Sequence, residues 1–264
     1  MSLMLPTRSE VDRLLDAIAS AAADGRPLVV IADFDGTLVP IAADRRAPAL
    51  PSPVRDDLRT LATARGGRAV VVSGRGVDDL QQRVGIAEAF YAACHGLTVV
   101  GPDLSFVHGS AETRRACLMQ IASELRRAAI DGLDIEMKDL AVAVHYRHVS
   151  AKQLPRIDAV LRAALAPHVN DVSVMPGWRA VEIVPITRWS KTTCVRWLRS
   201  RITPPGALTV YLGDDYTDEP VFRALAGTAF TLKVGPRGGV TAAAFCVPDV
   251  DAAHALLAAL ARCA

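Results

Sequence analysis

The sequence has no CxxC pair, and its five cysteines, Cys94, Cys117, Cys194, Cys246 and Cys263, are an odd number. That pattern argues against a disulfide framework and offers no zinc-site spacing; it favours a reducing, cytoplasmic setting. Charge of one sign is also lacking. Thirty Lys and Arg face 28 Asp and Glu, a net charge of +2 without a basic block, so nothing marks a nucleic-acid partner. No apolar run is long enough to span a bilayer, so no membrane partner is expected. The opening stretch MSLMLPTRSEVDRL turns charged before a signal-peptide core can form. Internal repeats and low-complexity linkers are missing too. What is present is core material: 51% hydrophobic against 22% charged over 264 residues, enough for one large or two modest domains.

Apolar positions at helical spacing (Val11, Leu14, Leu15, Ile18) predict a helix over 9–23. The β-branched run 28–31 reads as a strand buried on both faces that empties into an acidic loop. A helix over 53–64 follows, then a strand over 69–72 that empties into Ser73-Gly74-Arg75, then a helix over 77–84. Strand and helix alternating in this way specify a parallel sheet. The rhythm changes after Gly101-Pro102-Asp103. A helix over 112–129, strands over 133–137 and 141–146, a helix over 152–165 and strands over 172–175 and 180–184 read as a small α+β unit. The βα rhythm then resumes with a helix over 190–200, a strand over 208–212 emptying into Gly213-Asp214-Asp215, a helix over 219–225, a strand over 229–234 and a C-terminal helix. The expected fold is therefore α/β: a Rossmann-like parallel-sheet core from 1–105 and 186–264, with an inserted α+β lid, or cap, at 106–185.

Three predicted strands end in polar residues: Asp33, Asp35 and Thr37; Ser73; and Asp214, Asp215 and Asp218. Ligands of open parallel sheets bind beyond the carboxyl ends of the strands. If these strands are neighbours, the groups converge, and Lys191 at a helix start can join them. Clustered carboxylates need a counter-charge, and a hard cation such as Mg2+ suits them and a substrate phosphate. A hydroxyl and a lysine fit the oxygens of a transferring phosphoryl group. A carboxylate can also attack phosphorus to give an acyl phosphate. Asp33 and Asp35 alternate, so in an extended stretch both point to one side. Each group taken alone has a plainer reading: helix caps for Asp33, Asp35, Ser73, Asp215 and Asp218, and a solvated surface amine for Lys191.

Taken together, DFDGT (33–37), SGR (73–75), Lys191 and GDDYTDE (213–219) resemble the four motifs of the haloacid-dehalogenase-like hydrolases, in order. The resemblance implies Asp33 as nucleophile and Asp35 as general acid and base. It implies Ser73, Gly74, Thr37 and Lys191 around the phosphate. Mg2+ would be held by Asp33, Asp214 and the backbone carbonyl of Asp35, with Asp215 and Asp218 supporting the metal's ligands. The segments GPD (101–103), IEMK (135–138), AVHYR (143–147) and GWRAVEIVP (177–185) extend the likeness to the trehalose-6-phosphate phosphatase family. It implies a lid whose Glu136, Lys138, Arg179 and Glu182 hydrogen-bond sugar hydroxyls, and trehalose 6-phosphate as substrate. Phosphatases for other sugar phosphates, a phosphoryl-transferring mutase and a non-catalytic sugar-phosphate sensor are the alternatives. A monomer is the default expectation.

On residues alone, Glu136 and Lys138 share a strand face, which fits a surface salt bridge as well as a sugar site. Arg179 and Glu182 are three apart, so a regular strand would turn them to opposite faces. Trp178 and Trp189 suit either sugar stacking or packing.

Overall fold

The computed structural model describes residues 14–16, 18–20, 24–42, 49–177, 179–235 and 240–264. A β-branched strand with no polar face must be covered on both sides, and β1 (Leu28–Asp33) is buried along its whole length. Its neighbours, β2 (Arg68–Val72) and β10 (Leu208–Gly213), both run parallel to it. The eight-stranded sheet continues past β10 through β11 (Phe230–Val234) and β12 (Phe245–Val247). Past β2 it continues through β3 (Phe90–Ala93), β4 (Thr98–Gly101) and β5 (Leu104–Val107). Pairing is parallel from β12 to β3, and β4 turns antiparallel to β3. The chain leaves β1 towards one edge and later returns on its other side at β10. That reversal makes the carboxyl ends of β1 and β10 the switch point where such sheets open a crevice.

Helices α1 (Ser52–Thr63) and α2 (Val77–Val84) link the first strands. Proline opens α1 at a position where its missing N–H costs nothing, and Val54, Leu58 and Leu61 form its buried stripe. Leu58 and Leu61 join Leu256, Leu257 and Leu260 of the C-terminal helix in one core, where each buried leucine stabilises by about 1.5–3 kcal/mol. Leu14 and Ile18, within the helix expected over 9–23, are helical and buried in this core; residues 9–13, 17 and 21–23 lie outside the described set. Strands β3, β4, β5 and β12 are departures from the sequence reading. They are three or four residues long, too short for alternation to register.

The chain divides into two compact units: one reaches Ser105 and resumes at Trp189, and the other is Phe106–Arg188. The second unit follows the expected order of elements: α3 (Arg115–Arg127), β6 (Asp134–Met137), β7 (Val142–His145), α4 (Leu154–Leu165), β8 (Val172–Gly177) and β9 (Ala180–Pro185). Its antiparallel sheet has the order β6-β7-β9-β8. Leu118, Ile121 and Leu125 of α3 and Ala164 of α4 pack on Val142, Val144 and Ile183, so the helices cover one sheet face. No helix among the described residues is long and apolar enough to cross a membrane. None of the five cysteines is in a disulfide.

Candidate active site

The DFDGT segment is a tight turn at the end of β1. Leu38 and Val39 N–H donate back to Phe34 O, and Gly36 N–H donates to Val39 O at 2.7 Å. Gly36 has φ +91, and a Cβ there would lie 2.0 Å from Asp214 Oδ2. Glycine is thus required twice, for its conformation and for the close pass beside Asp214. The buried Thr37 completes the contact, its Oγ1 donating to Asp214 Oδ1 at 2.9 Å.

Helix α5 (Lys191–Ile202) starts from a capped end: Ser190 Oγ accepts from Thr193 N–H at 3.2 Å. That fixes the first residue of the helix, Lys191, which is 6% exposed. Its Nζ donates to Asp33 Oδ1 at 2.5 Å and lies 2.6 Å from Asp218 Oδ1. Asp218 is fully buried, at the start of α6 (Glu219–Leu225). Its carboxylate also accepts from Tyr211 Oη at 2.6 Å and from the backbone N–H groups of Asp214 and Asp215 at 3.0 and 3.1 Å. A side chain on Gly213 would intrude here, since a Cβ would stand 2.3 Å from Asp218 Cγ. Lys233 Nζ donates to Asp214 O at 2.7 Å, fixing the loop from the far side.

Burial pushes the Asp33 carboxyl well above the usual carboxylate range. Asp218 and Asp214 add to the shift, and together these outweigh the opposing pull of Lys191. Asp214 is pushed up to about 7, by burial first and then by Asp218. Burial alone would lower Lys191, yet Asp33 and Asp218 hold it above its ordinary value. Asp33, Asp214 and Asp218 each offer an oxygen, all within 4.8 Å of one another. Asp33 and Asp214, crowded with Asp218 beside one ammonium, hold protons more tightly than isolated carboxylates, and a hard divalent cation relieves that crowding. An all-oxygen donor set is the chemistry Mg2+ takes.

Asp35 is held from another direction. Arg75 grips it with both arms, Nε to Oδ2 and Nη2 to Oδ1, each at 2.7 Å. The guanidinium also donates to Asp79 Oδ2 at 2.7 Å and lies over the Phe34 ring, 5.4 Å from its centroid. Ser73, buried at the end of β2, accepts from Arg75 N–H through Oγ at 3.1 Å. The β2 loop is tied to the end of β3 by Ser73 N–H to Ala92 O and His95 N–H to Ser73 O, both at 2.9 Å. Gly74 lies between these anchors. Asp215 is exposed, and its carboxylate accepts from Tyr216 N–H at 2.6 Å. Of the two aspartates assigned a supporting place, the structure buries Asp218 among the charged groups and leaves Asp215 at the surface.

In the second unit, Glu136 on β6 and Glu182 on β9 flank Ala143 of β7 in one row. Lys138 Nζ donates to Glu182 Oε1 at 2.5 Å, and His145 Nε2 lies 3.2 Å from Glu136 Oε2. These four side chains share the sheet face opposite the helices. Arg179 is in the turn between β8 and β9, at φ 47, and its carbonyl accepts from Tyr146 N–H at 3.1 Å. Trp189 packs within the first unit, donating from Nε1 to Gly96 O at 2.8 Å and meeting Trp197 edge to face. Trp178 lies outside the described residues.

Sequence reasoning gave no part to Arg75, Tyr211 or His145. Arg75 stood inside the quoted SGR segment, so its place after β2 was the available signal. Nothing in the sequence marked Tyr211, a buried strand residue whose hydroxyl needed a partner.

A family model described as trehalose-phosphatase matches residues 31–256. The chain is 36% identical over 244 residues to a trehalose-phosphate phosphatase of Mycolicibacterium paratuberculosis, covering 89% of this chain. It spans between 16% and 59% of the length of the mycobacterial relatives it matches. In fold it is similar to the C-terminal domain of a Candida albicans trehalose-6-phosphate phosphatase, with TM-score 0.75 and 21% identity over 94% of this chain and 96% of that one. It is also similar to a haloacid dehalogenase-like hydrolase from Bacteroides thetaiotaomicron, with TM-score 0.58 and 17% identity over 86% of this chain and 97% of that one.

Proposed function

This chain belongs to the trehalose-phosphatase family, and from that premise we propose that it hydrolyses trehalose 6-phosphate to trehalose and phosphate through an aspartyl phosphate on Asp33. The observation that carries the reading is the buried group at the switch point: Asp33 and Asp218 on one lysine, with Asp214 beside them. Mg2+ would be held by Asp33, Asp214 and the Asp35 carbonyl, where it supplies positive charge to the phosphate oxygens and keeps the carboxylates ionised.

The chain's own groups then divide the work. Lys191, the Ser73 hydroxyl and the loop at Thr37 and Gly74 orient the phosphoryl oxygens. An Asp33 oxygen attacks phosphorus as the bond to the sugar oxygen breaks, and Asp35 gives that oxygen its proton. In the second half, Asp35 takes a proton from water, the water oxygen attacks phosphorus, and Asp33 is released. Arg75 holds both Asp35 oxygens in this structure, so one arm has to let go when Asp35 carries the proton. The inserted segment 106–185, within the compact unit Phe106–Arg188, serves as the cap, where Glu136, Lys138, Glu182 and Arg179 pair with sugar hydroxyls. A site built to pair with hydroxyls rejects analogues that lack them.

The test is phosphate release from a panel of phosphosugars, with Mg2+ and then with EDTA. Release from trehalose 6-phosphate that EDTA stops supports the reading. Release from a different phosphosugar alone would overturn the substrate and keep the chemistry. Asp33→Asn should abolish turnover in a protein that still folds, and an active variant would sink the covalent route.

A further inference from the structure

The fold assembles a second cluster of metal-binding side chains that nothing in the phosphatase reading uses. Cys117 lies in the first turn of α3, His168 ends the turn after α4, and Asp171 precedes β8. Each offers one donor atom, sulfur, nitrogen and oxygen, and the three lie within 4.8 Å of one another. A second observation points the same way. His168 Nε2 is buried and has no hydrogen-bond partner, and a buried unpaired ring nitrogen is costly unless something binds it. Asp171 keeps the cluster open to solvent, with its side chain 46% exposed. One of its oxygens pairs with Arg114 Nε at 3.4 Å, and a carboxylate has lone pairs to spare for a second partner.

We propose that Cys117, His168 and Asp171 form a site for a borderline-soft divalent cation of the zinc class, with a fourth position open to water. Thiolate, imidazole and carboxylate are the ligand types zinc takes, whereas Mg2+ and Ca2+ take oxygen. Thiolate and carboxylate together neutralise the ion. Tetrahedral zinc with bonds of about 2.0–2.3 Å sets its ligands roughly 3.3–3.7 Å apart, so the site closes by about 1.5 Å at most on binding. The result ties α3 to the turn leading into β8. Cys117 is not a nucleophile in this setting: burial and Asp171 hold its thiol above the usual range, so it stays protonated without a metal. A bound cation reverses that by stabilising the thiolate.

The test is a Co2+ titration of the full chain, pre-saturated with Mg2+, following the thiolate-to-cobalt charge-transfer absorbance. Mg2+ occupies the oxygen site, which has no thiolate to give that band. One equivalent of Co2+ should raise it and Zn2+ should remove it. Cys117→Ser should abolish it, Cys263→Ser should leave it, and His168→Ala should weaken binding roughly tenfold or more. No band, or one that survives Cys117→Ser, overturns the site. If Cys117→Ser does not fold, His168→Ala decides with the thiol intact, and unchanged Co2+ affinity there overturns it. The readout needs no phosphatase activity, so it stands or falls apart from the proposed function.

Discussion

Replacing Asp218 tests the part of the site that depends most on burial. Its carboxylate is fully buried and serves Lys191, Tyr211 and the N–H groups of Asp214 and Asp215 at once. Asp218→Ala leaves those donors facing a void, with Lys191 paired to Asp33 alone. Each buried donor left without an acceptor costs about 1–3 kcal/mol, and the Tyr211 hydroxyl and the two N–H groups make three, so the loss is about 3–5 kcal/mol or more. In a domain of this size each kcal/mol moves Tm by about 2–4 °C, so the expected drop is about 6–20 °C. Asp218→Asn separates charge from shape. Its oxygen can still accept from the two backbone N–H groups, and Tyr211 can turn its hydroxyl to accept from the amide. Lys191 cannot turn, and it loses an ion pair. The expected cost is about 1–3 kcal/mol, smaller than for alanine. In both variants Lys191 settles on Asp33 and shields the attacking oxygen, so phosphate release should fall by roughly tenfold or more. Thermal melts and phosphate assays on the three proteins decide it. An alanine variant that melts within about 2 °C of the parent and turns over normally would falsify the network argument.

Three further outcomes follow from the same geometry. Thr37→Val removes the hydroxyl donor to Asp214 Oδ1, so stability should fall by about 1–2 kcal/mol and the Mg2+ needed for half-maximal activity should rise; an unchanged Mg2+ titration would remove Thr37 from that task. Lys138→Ala breaks the pair with Glu182 and should cost turnover of trehalose 6-phosphate at least roughly tenfold more than turnover of p-nitrophenyl phosphate, which offers no sugar hydroxyls; equal losses on both would remove the cap residues from recognition. Burial pushes the Cys194 thiol up to about 12 and leaves Cys94 buried as well. Alkylation of the folded protein at mildly alkaline pH should therefore spare both and be confined to the partly exposed Cys117, Cys246 and Cys263, and early labelling of Cys194 would show that α5 opens in the native state.

Much of the first unit was legible because its strands are covered on both faces and its loops carry charge. The stretches 28–31 and 208–212 read as buried runs leading into aspartates, and the pairing of β1 with β10 sets Asp33 beside Asp214. What stayed hidden was pairing across long sequence separations. Lys191 meets Asp33 from 158 positions away and Lys138 meets Glu182 from 44; no local period encodes either. Asp215 and Asp218 look alike in GDDYTDE, and only the fold separates them. Asp218 is turned inward beneath Gly213, where a side chain would not fit, while Asp215 is left to its own loop.

Strand parity shows where local rules stop. It set Arg179 and Glu182 on opposite faces, three residues apart. That rule holds only within extended backbone, and β9 begins at Ala180. Arg179 precedes it at φ 47, a left-handed conformation in which alternation has no meaning. Parity does govern the residues inside the strands. Glu136 on β6, Lys138 just past its end, His145 on β7 and Glu182 on β9 emerge on one face because the register sets Glu136, Ala143 and Glu182 in a row. A positively charged turn at the end of a face carrying two carboxylates, a lysine and a histidine offers donors and acceptors from several directions. That is what recognition of a molecule made largely of hydroxyls requires, and a regular strand alone would not supply it.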